Sequence, residues 1–172
     1  RGVLLFDALG TPALAREMLR AIAKVTDQPV RRVIVSHYHA DHVYGLQVLR
    51  AAGATIWARR EGQAYLVADL ARERLAERRD TLAPWVDAAT EVLAADRWLD
   101  LAPGDQLAFR FGGQRFRLMS AGHAHAPDDL MLLVEAGQVL FAGDLYFNGR
   151  LPFVVDGNTR NWLAAIESMR AL

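Results

Sequence analysis

All five histidines of this 172-residue chain fall in two short segments: His37, His39 and His42, then His123 and His125. The first segment reads His37-Tyr38-His39-Ala40-Asp41-His42, which packs three imidazoles and a carboxylate into six residues. Imidazole nitrogen and carboxylate oxygen are the donors that suit zinc, and also iron or manganese. A single ion cannot easily take all four side chains from one tight loop. The spacing divides them: His37 and His39 alternate on one side and serve one ion, while Asp41 and His42 serve a neighbour. Each ion then needs donors from elsewhere, and His125 and Asp144 are the candidates. Asp144 has an ordinary alternative as a turn residue in Gly143-Asp144.

The elements around these residues are those that would carry them. Val33-Ile34-Val35 is a short buried strand that delivers the chain to His37, and strand ends are where an open sheet presents its chemistry. His125 follows a strand ending near Ser120, and Asp144 follows the strand Val139 to Ala142. Val3 to Phe6 reads as a further buried strand. Thr11-Pro12 is an N-cap and first-turn pair that opens an amphipathic helix to about Lys24. Val43 to Ala52 reads as a helix closed by Gly53, and Thr55-Ile56-Trp57 as the next strand. A charged helical stretch runs from about Glu61 to Arg79, with a less regular helical piece after Pro84 to Ala94. The gap between the charged stretch and Pro84-Trp85 is a candidate lid. Gly112-Gly113 and Gly137-Gln138 join alternating apolar segments as hairpins, and Trp162 to Leu172 reads as a final helix. Strand-helix alternation followed by hairpins implies an α/β or α+β core within one domain over residues 1–172.

Composition narrows the function. Twenty basic and twenty acidic side chains give zero net charge, which argues against a dedicated nucleic-acid binder. No apolar run approaches the roughly 20 residues that span a bilayer. With no cysteine, disulfides, thiolate metal sites and cysteine nucleophiles are excluded. Lys24 is the only lysine, a bias expected of a GC-rich genome. Arg59-Arg60 and Arg78-Arg79 read as solvated surface. The abrupt ends, with Arg1-Gly2 before a buried strand and no cap after the last helix, read as those of a fragment.

The His37-to-His42 motif, His125-Ala126-Pro127-Asp128-Asp129-Leu130 and Phe141-Ala142-Gly143-Asp144-Leu145 together resemble the metallo-β-lactamase superfamily over nearly the whole chain. That resemblance implies an αββα sandwich, here lacking N-terminal strands and a C-terminal part, with a dinuclear metal site at one edge of its two sheets. It implies that His37, His39 and His125 bind a first zinc, that Asp41 and His42 bind a second, and that Asp144 bridges them. The family's further His on the second metal has no counterpart, because no His follows His125. His125 precedes a small residue and then Pro, as the family's ligand does, so His123 is read as supporting or solvent-facing. The flanks of the motif, Asp128 to Met131, Gly149 to Phe153 and Asn161-Trp162-Leu163 are similar to the bacterial hydrolases found beside sulfur-oxidation clusters and quinoprotein relay systems. Such proteins commonly carry an export signal, so the resemblance points to the periplasm.

The expected chemistry is hydrolysis of an ester, thioester or lactam carbonyl in a small-molecule substrate. Two cations lower the pKa of a shared water, and the resulting hydroxide attacks while one metal polarises the carbonyl oxygen. Asp41 would orient the nucleophile. Tyr38 would donate a hydrogen bond to a substrate oxygen, unless its ring merely packs against the loop. Tyr146, Asn148 and Arg150 would line the pocket, and Arg150 would hold a substrate carboxylate or tether the surface. No Gly-x-Ser-x-Gly elbow occurs, and Ser36 reads as a strand-end residue. Two alternatives stand beside this one. The first is a mononuclear-iron oxidoreductase like the superfamily's persulfide dioxygenases, and the second is a metal-binding domain without catalysis.

Overall fold

The computed structural model describes residues 1–172. Strands β1 (Val3–Phe6), β2 (Val30–Ile34), β3 (Thr55–Arg59) and β4 (Arg97–Leu99) form a parallel sheet in that order. Helices cross over between them: α1 (Pro12–Ala23), the short α2 (Ala40–Val43) and α3 (Leu46–Ala51), then α4 (Gln63–Leu66) and α5 (Asp69–Thr81). A second, antiparallel sheet follows, again in chain order: β5 (Gln106–Phe111), β6 (Gln114–Gly122), β7 (Asp129–Val134) and β8 (Val139–Phe141). Helix α6 (Thr159–Arg170) closes the chain.

The two sheets face each other through one apolar layer. Ile34, Trp57 and Leu99 of the parallel sheet meet Phe116, Leu118, Leu130 and Leu132 of the antiparallel sheet, and all are buried. The outer face of the parallel sheet packs Val33, Val35, Ile56 and Ala58 against Leu46 and Leu49 of α3. The outer face of the other sheet packs Met119, Met131 and Leu133 against Trp162 and Ala165 of α6. The order helix, sheet, sheet, helix follows from these three clusters, and the expected αββα arrangement is the one observed. Strand β7, with both faces covered, reads as a continuous apolar run from Leu130 to Val134.

Local differences from the sequence reading have local causes. The helix expected over Val43 to Ala52 begins earlier and breaks at Tyr44-Gly45. A Cβ at Gly45 would collide with the carbonyl oxygen of Ala8 and would lie 2.7 Å from the Cβ of Ala15, so glycine lets this turn pack against the β1–α1 connection. The long charged helix is divided at Val67-Ala68, where an extended Ala68 caps α5. No helix forms after Pro84. There the hydroxyl of Thr90 accepts from the Asp87 N–H, and Arg79 donates to the carbonyls of Asp87 and Thr90. Strand β4 was not expected, since three residues are too short to show a period of two. Arg59, expected on a solvated face, is buried and donates to the carbonyls of Leu101 and Pro127, while Arg60 beside it is exposed. No helix is long and apolar enough to cross a membrane.

Candidate metal centre

The parallel sheet presents the carboxyl ends of β1 and β2 side by side. Asp7, just past β1, holds an uncommon positive φ of 70°, which a short acidic side chain tolerates. Its Oδ1 accepts the backbone N–H of Ser36 at 2.6 Å and its Oδ2 accepts from His42 Nδ1 at 2.8 Å. The loop after β2 is thereby tied to the end of β1. Gly143 brings the second sheet to the same edge, because a Cβ there would lie 2.8 Å from the Cβ of Ser36. This close approach sets Asp144 beside the histidines.

Two groups of donors result: His37, His39 and His125, and His37, His42 and Asp144, each with donor atoms within 4.8 Å of one another. In the first group, His37 Nε2 and His125 Nε2 each lie 3.0 Å from His39 Nδ1. Zinc–nitrogen bonds of about 2.0–2.1 Å at tetrahedral angles separate ligand nitrogens by about 3.3 Å, close to this spacing. The opposite nitrogen of each ring is engaged by an acceptor. His37 Nδ1 meets Ser36 Oγ at 2.9 Å, His39 Nε2 meets Asp156 Oδ2 at 3.2 Å and His125 Nδ1 meets the Phe153 carbonyl at 3.1 Å. With those nitrogens protonated as donors, the lone pairs that remain are the three that converge. The donor set fits a divalent cation.

Electrostatics separates the two groups. Burial lowers His37 well below the ordinary imidazole value, aided by His42, His39 and His125, and burial likewise lowers His39 and His125. These three rings are neutral at pH 7, the form that ligates. His42 behaves oppositely. Burial disfavours its charge, yet hydrogen bonds to Asp144, Asp41 and Asp7 prevail and carry it up to about 12. Its Nε2 lies 3.3 Å from Asp144 Oδ1 and 3.4 Å from Asp41 Oδ2. The second group thus calls for positive charge, whether a proton or a cation. The other oxygen of Asp144 lies 3.7 Å from His125 Nε2, so its carboxylate stands between the groups. Asp41 falls outside both donor groups and its side chain is 73% exposed, while its bond to His42 pulls it down to about 2.

A family model of the metallo-beta-lactamase superfamily matches residues 1–172. The chain belongs to that superfamily. Type 2 metallo-beta-lactamases of Bacillus sp. (strain 170) and of Bacillus cereus are 23% and 24% identical over 172 residues. Each alignment covers 98% of this chain and 57% of the relative, so the chain spans somewhat over half the length of these curated relatives. Among solved structures, the metallo-beta-lactamase IND-7 has a TM-score of 0.72 at 20% identity, covering 99% of this chain and 68% of that one. The metallo-beta-lactamase from Pontibacter korlensis gives 0.73 at 20% identity over 99% and 69%. A double mutant of the sec-alkyl sulfatase PisA1 gives 0.69 at 18% identity over 97% and 31%. At these identities the solved structures establish the fold.

Within this metallo-beta-lactamase fold the remaining sequence candidates separate. Tyr38 is buried, stacks on Tyr65 with ring centroids 4.1 Å apart, and donates its hydroxyl to Asp156 at 2.6 Å. Burial and Asp156 raise Tyr38, and that bond lowers Asp156 in turn. The Tyr38 hydroxyl is therefore engaged with the carboxylate behind His39 and not with the open cleft. His123 makes its contact with the Asp156 carbonyl at 2.7 Å and joins neither donor group. Tyr146, Asn148 and Arg150 are exposed, and none lines the cleft over the histidines; the Arg150 guanidinium lies 4.9 Å from the Phe147 ring centre. That cleft has a volume of about 550 Å³ and is walled on one side by α5, and neither Pro84 nor Trp85, at the expected lid, lines it.

Three supporting carboxylates were missed as such. Asp7 and Asp156 are far in sequence from the rings they hold, and only the placement of Asp7 at a strand end gave any signal. Asp129 Oδ2 accepts the N–H groups of Ala124 and Ala126, at 3.2 and 2.8 Å, and so braces the loop that carries His125. Burial raises Asp129 to about 7. Behind the same loop, the indole of Trp162 donates to the Leu145 carbonyl at 2.9 Å and stands 5.1 Å edge-on to His125.

Proposed function

We propose that this chain carries the centre of a zinc-dependent hydrolase that cleaves an ester, thioester or lactam carbonyl. His37, His39 and His125 would hold one ion, Asp41 and His42 a second, and Asp144 would lie between the two. The observation that carries this reading is the orientation of the first three imidazoles, each with one nitrogen held by an acceptor and the other free toward a common point. When bound, a zinc pair supplies Lewis-acid polarisation of a carbonyl oxygen and acidifies water at the site. The names of the type 2 relatives make a lactam one member of this substrate class. No support favours the narrower sulfur-oxidation subgroup over other members of the superfamily.

The chain's own residues supply position and proton handling. Asp41, ionised at neutral pH and open to the cleft, can accept a hydrogen bond from an attacking water at its free carboxylate oxygen. Asp156 and the Phe153 carbonyl fix the ring planes of His39 and His125, so neither must reorganise as substrate binds. Apolar walls from Val43, Leu66, Val92 and Phe153 exclude water around the reacting carbonyl.

Elemental analysis of the purified protein, paired with hydrolysis of a chromogenic ester and a chromogenic cephalosporin, tests the reading. About two zinc per chain with turnover of either compound is the expected result. One iron per chain with oxygen uptake and no hydrolysis would replace it with the oxidoreductase reading.

A further inference from the structure

One wall of the cleft carries two arginines. On α5, Arg74 and Arg78 lie one turn apart, and both line the cleft that His39, His125 and Asp144 also border. Arg78 is exposed, and its guanidinium makes no hydrogen bond and has no carboxylate within 4.0 Å. Arg74 has a single acidic neighbour, Asp156 at 3.9 Å, whose carboxylate is already shared by Tyr38 and His39. Its guanidinium lies 5.0 and 5.4 Å from the ring centres of Tyr38 and Tyr65, a cation–aromatic contact that fixes its direction. Glu77, the acidic residue on the same wall, pairs with neither arginine.

The rest of α5 accounts for its fold without these residues, because Ala71 and Leu75 are the only ones it buries. The cleft also has an apolar lining: Phe153 and Val155 belong to it, and Leu151, Phe153, Val154 and Val155 expose 92%, 55%, 48% and 77% of their surface. The free guanidinium of Arg78, with Arg74 one turn away, shares this cleft with the apolar Phe153 and Val155 and with the donor groups, a combination that selects for a ligand of matching polarity.

We propose that Arg78, supported by Arg74, anchors an anionic group of the substrate, so that this site takes amphipathic acyl compounds bearing a carboxylate remote from the bond that is cleaved. The guanidinium provides the paired donors that a carboxylate fits. The apolar body of the ligand lies along Phe153 and Val155. Arg150, which sequence spacing offered for this task, lies outside the cleft. This assignment rests on the hydrolase reading only for the bond that is broken; the anion anchor itself is a binding property.

Calorimetry on the metal-loaded protein with 4-phenylbutyrate and its neutral amide, 4-phenylbutanamide, tests it. Wild-type protein is expected to favour the carboxylate by about tenfold or more, and Arg78→Ala to lower that preference by about tenfold. Arg78→Lys should keep part of it, as a point charge without paired donors. Arg74→Ala should reduce it less than Arg78→Ala does. Equal binding of the two compounds by wild-type protein would overturn the proposal. So would an undiminished preference in the Arg74→Ala, Arg78→Ala double variant, which would place the carboxylate on the metal-facing groups instead. Ester turnover is scored separately with the 4-nitrophenyl monoester of adipic acid and with 4-nitrophenyl hexanoate. Loss of the carboxylate preference in kcat/KM through KM is expected on Arg78→Ala. Failure to hydrolyse either ester, with the binding preference intact, would sink the hydrolase reading and leave the anion anchor standing.

Discussion

The two donor groups share His37 and one edge of the sandwich, yet they are built on different principles. The His37, His39 and His125 group, with His37 and His125 buried and His39 half-buried, is neutral and oriented by acceptors behind each ring. The His42 and Asp144 group is ringed by carboxylates and more open to solvent, with Asp41 largely exposed. As metal sites, the first would select through preorganised lone pairs and the second through excess negative charge. A neutral preorganised site loses its function when one ring goes. A charged site degrades as its orienting carboxylates are removed.

The largest effect should come from the first group. His39→Ala removes the nitrogen nearest both partners, and loss of its metal with a fall in hydrolysis of about a thousandfold or more is expected. Metal analysis and circular dichroism together check it; full metal content with full activity would refute the ligand assignment. An intermediate effect should follow Asp7→Ala, which frees His42 Nδ1 and the Ser36 N–H together. Metal titration should then show the second equivalent weakened about 10- to 100-fold, as for other orienting partners, with the first retained. Equal weakening of both equivalents would erase the distinction between the groups.

A smaller effect concerns the carboxylate under His125. Because Asp129 is raised from near 3.8 to about 7 in the folded chain, the folded state binds its proton more tightly than the unfolded one does. Its contribution is fully present below about pH 4 and is lost as pH rises through 7. Thermal unfolding in chelator should therefore show Tm falling by a few degrees between pH 5 and 8. Asp129→Asn, whose amide oxygen can accept the same two N–H groups, should flatten that decline. Asp41 has the reverse sign, since it is depressed to about 2 and its contribution is lost only as pH falls below about 4. The smallest effect is expected of His123→Ala. It should keep metal content and activity within a fewfold, and loss of metal to the extent seen with His39→Ala would put His123 in the place given to His125.

Much of the fold was legible because its signals are local. The hairpins at Gly112-Gly113 and near Gly137, the capped start of α1 and the apolar runs of β1, β2 and β7 each depend on neighbours within a few residues. The failures were the features set by distant neighbours. Gly45 breaks a helix because Ala8 lies against it, and Arg59 is buried because two distant carbonyls receive it. Strand β4 exists because β3 offers it a paired edge.

The sequence by itself determined which donor atoms were available and that they would gather at strand ends, since residue type and spacing are written in the chain. Only the tertiary structure decided how those atoms are shared. It oriented His39 through Asp156, 117 residues away, tied His42 to Asp7 across 35 residues, and turned Tyr38 toward Asp156. It also put the arginines of the cleft on α5, Arg78 among them without a carboxylate partner, and left Arg150 outside. Hydrogen bonds and charge act through space over a few ångströms, and such distances between remote residues are fixed only when the sheets pack.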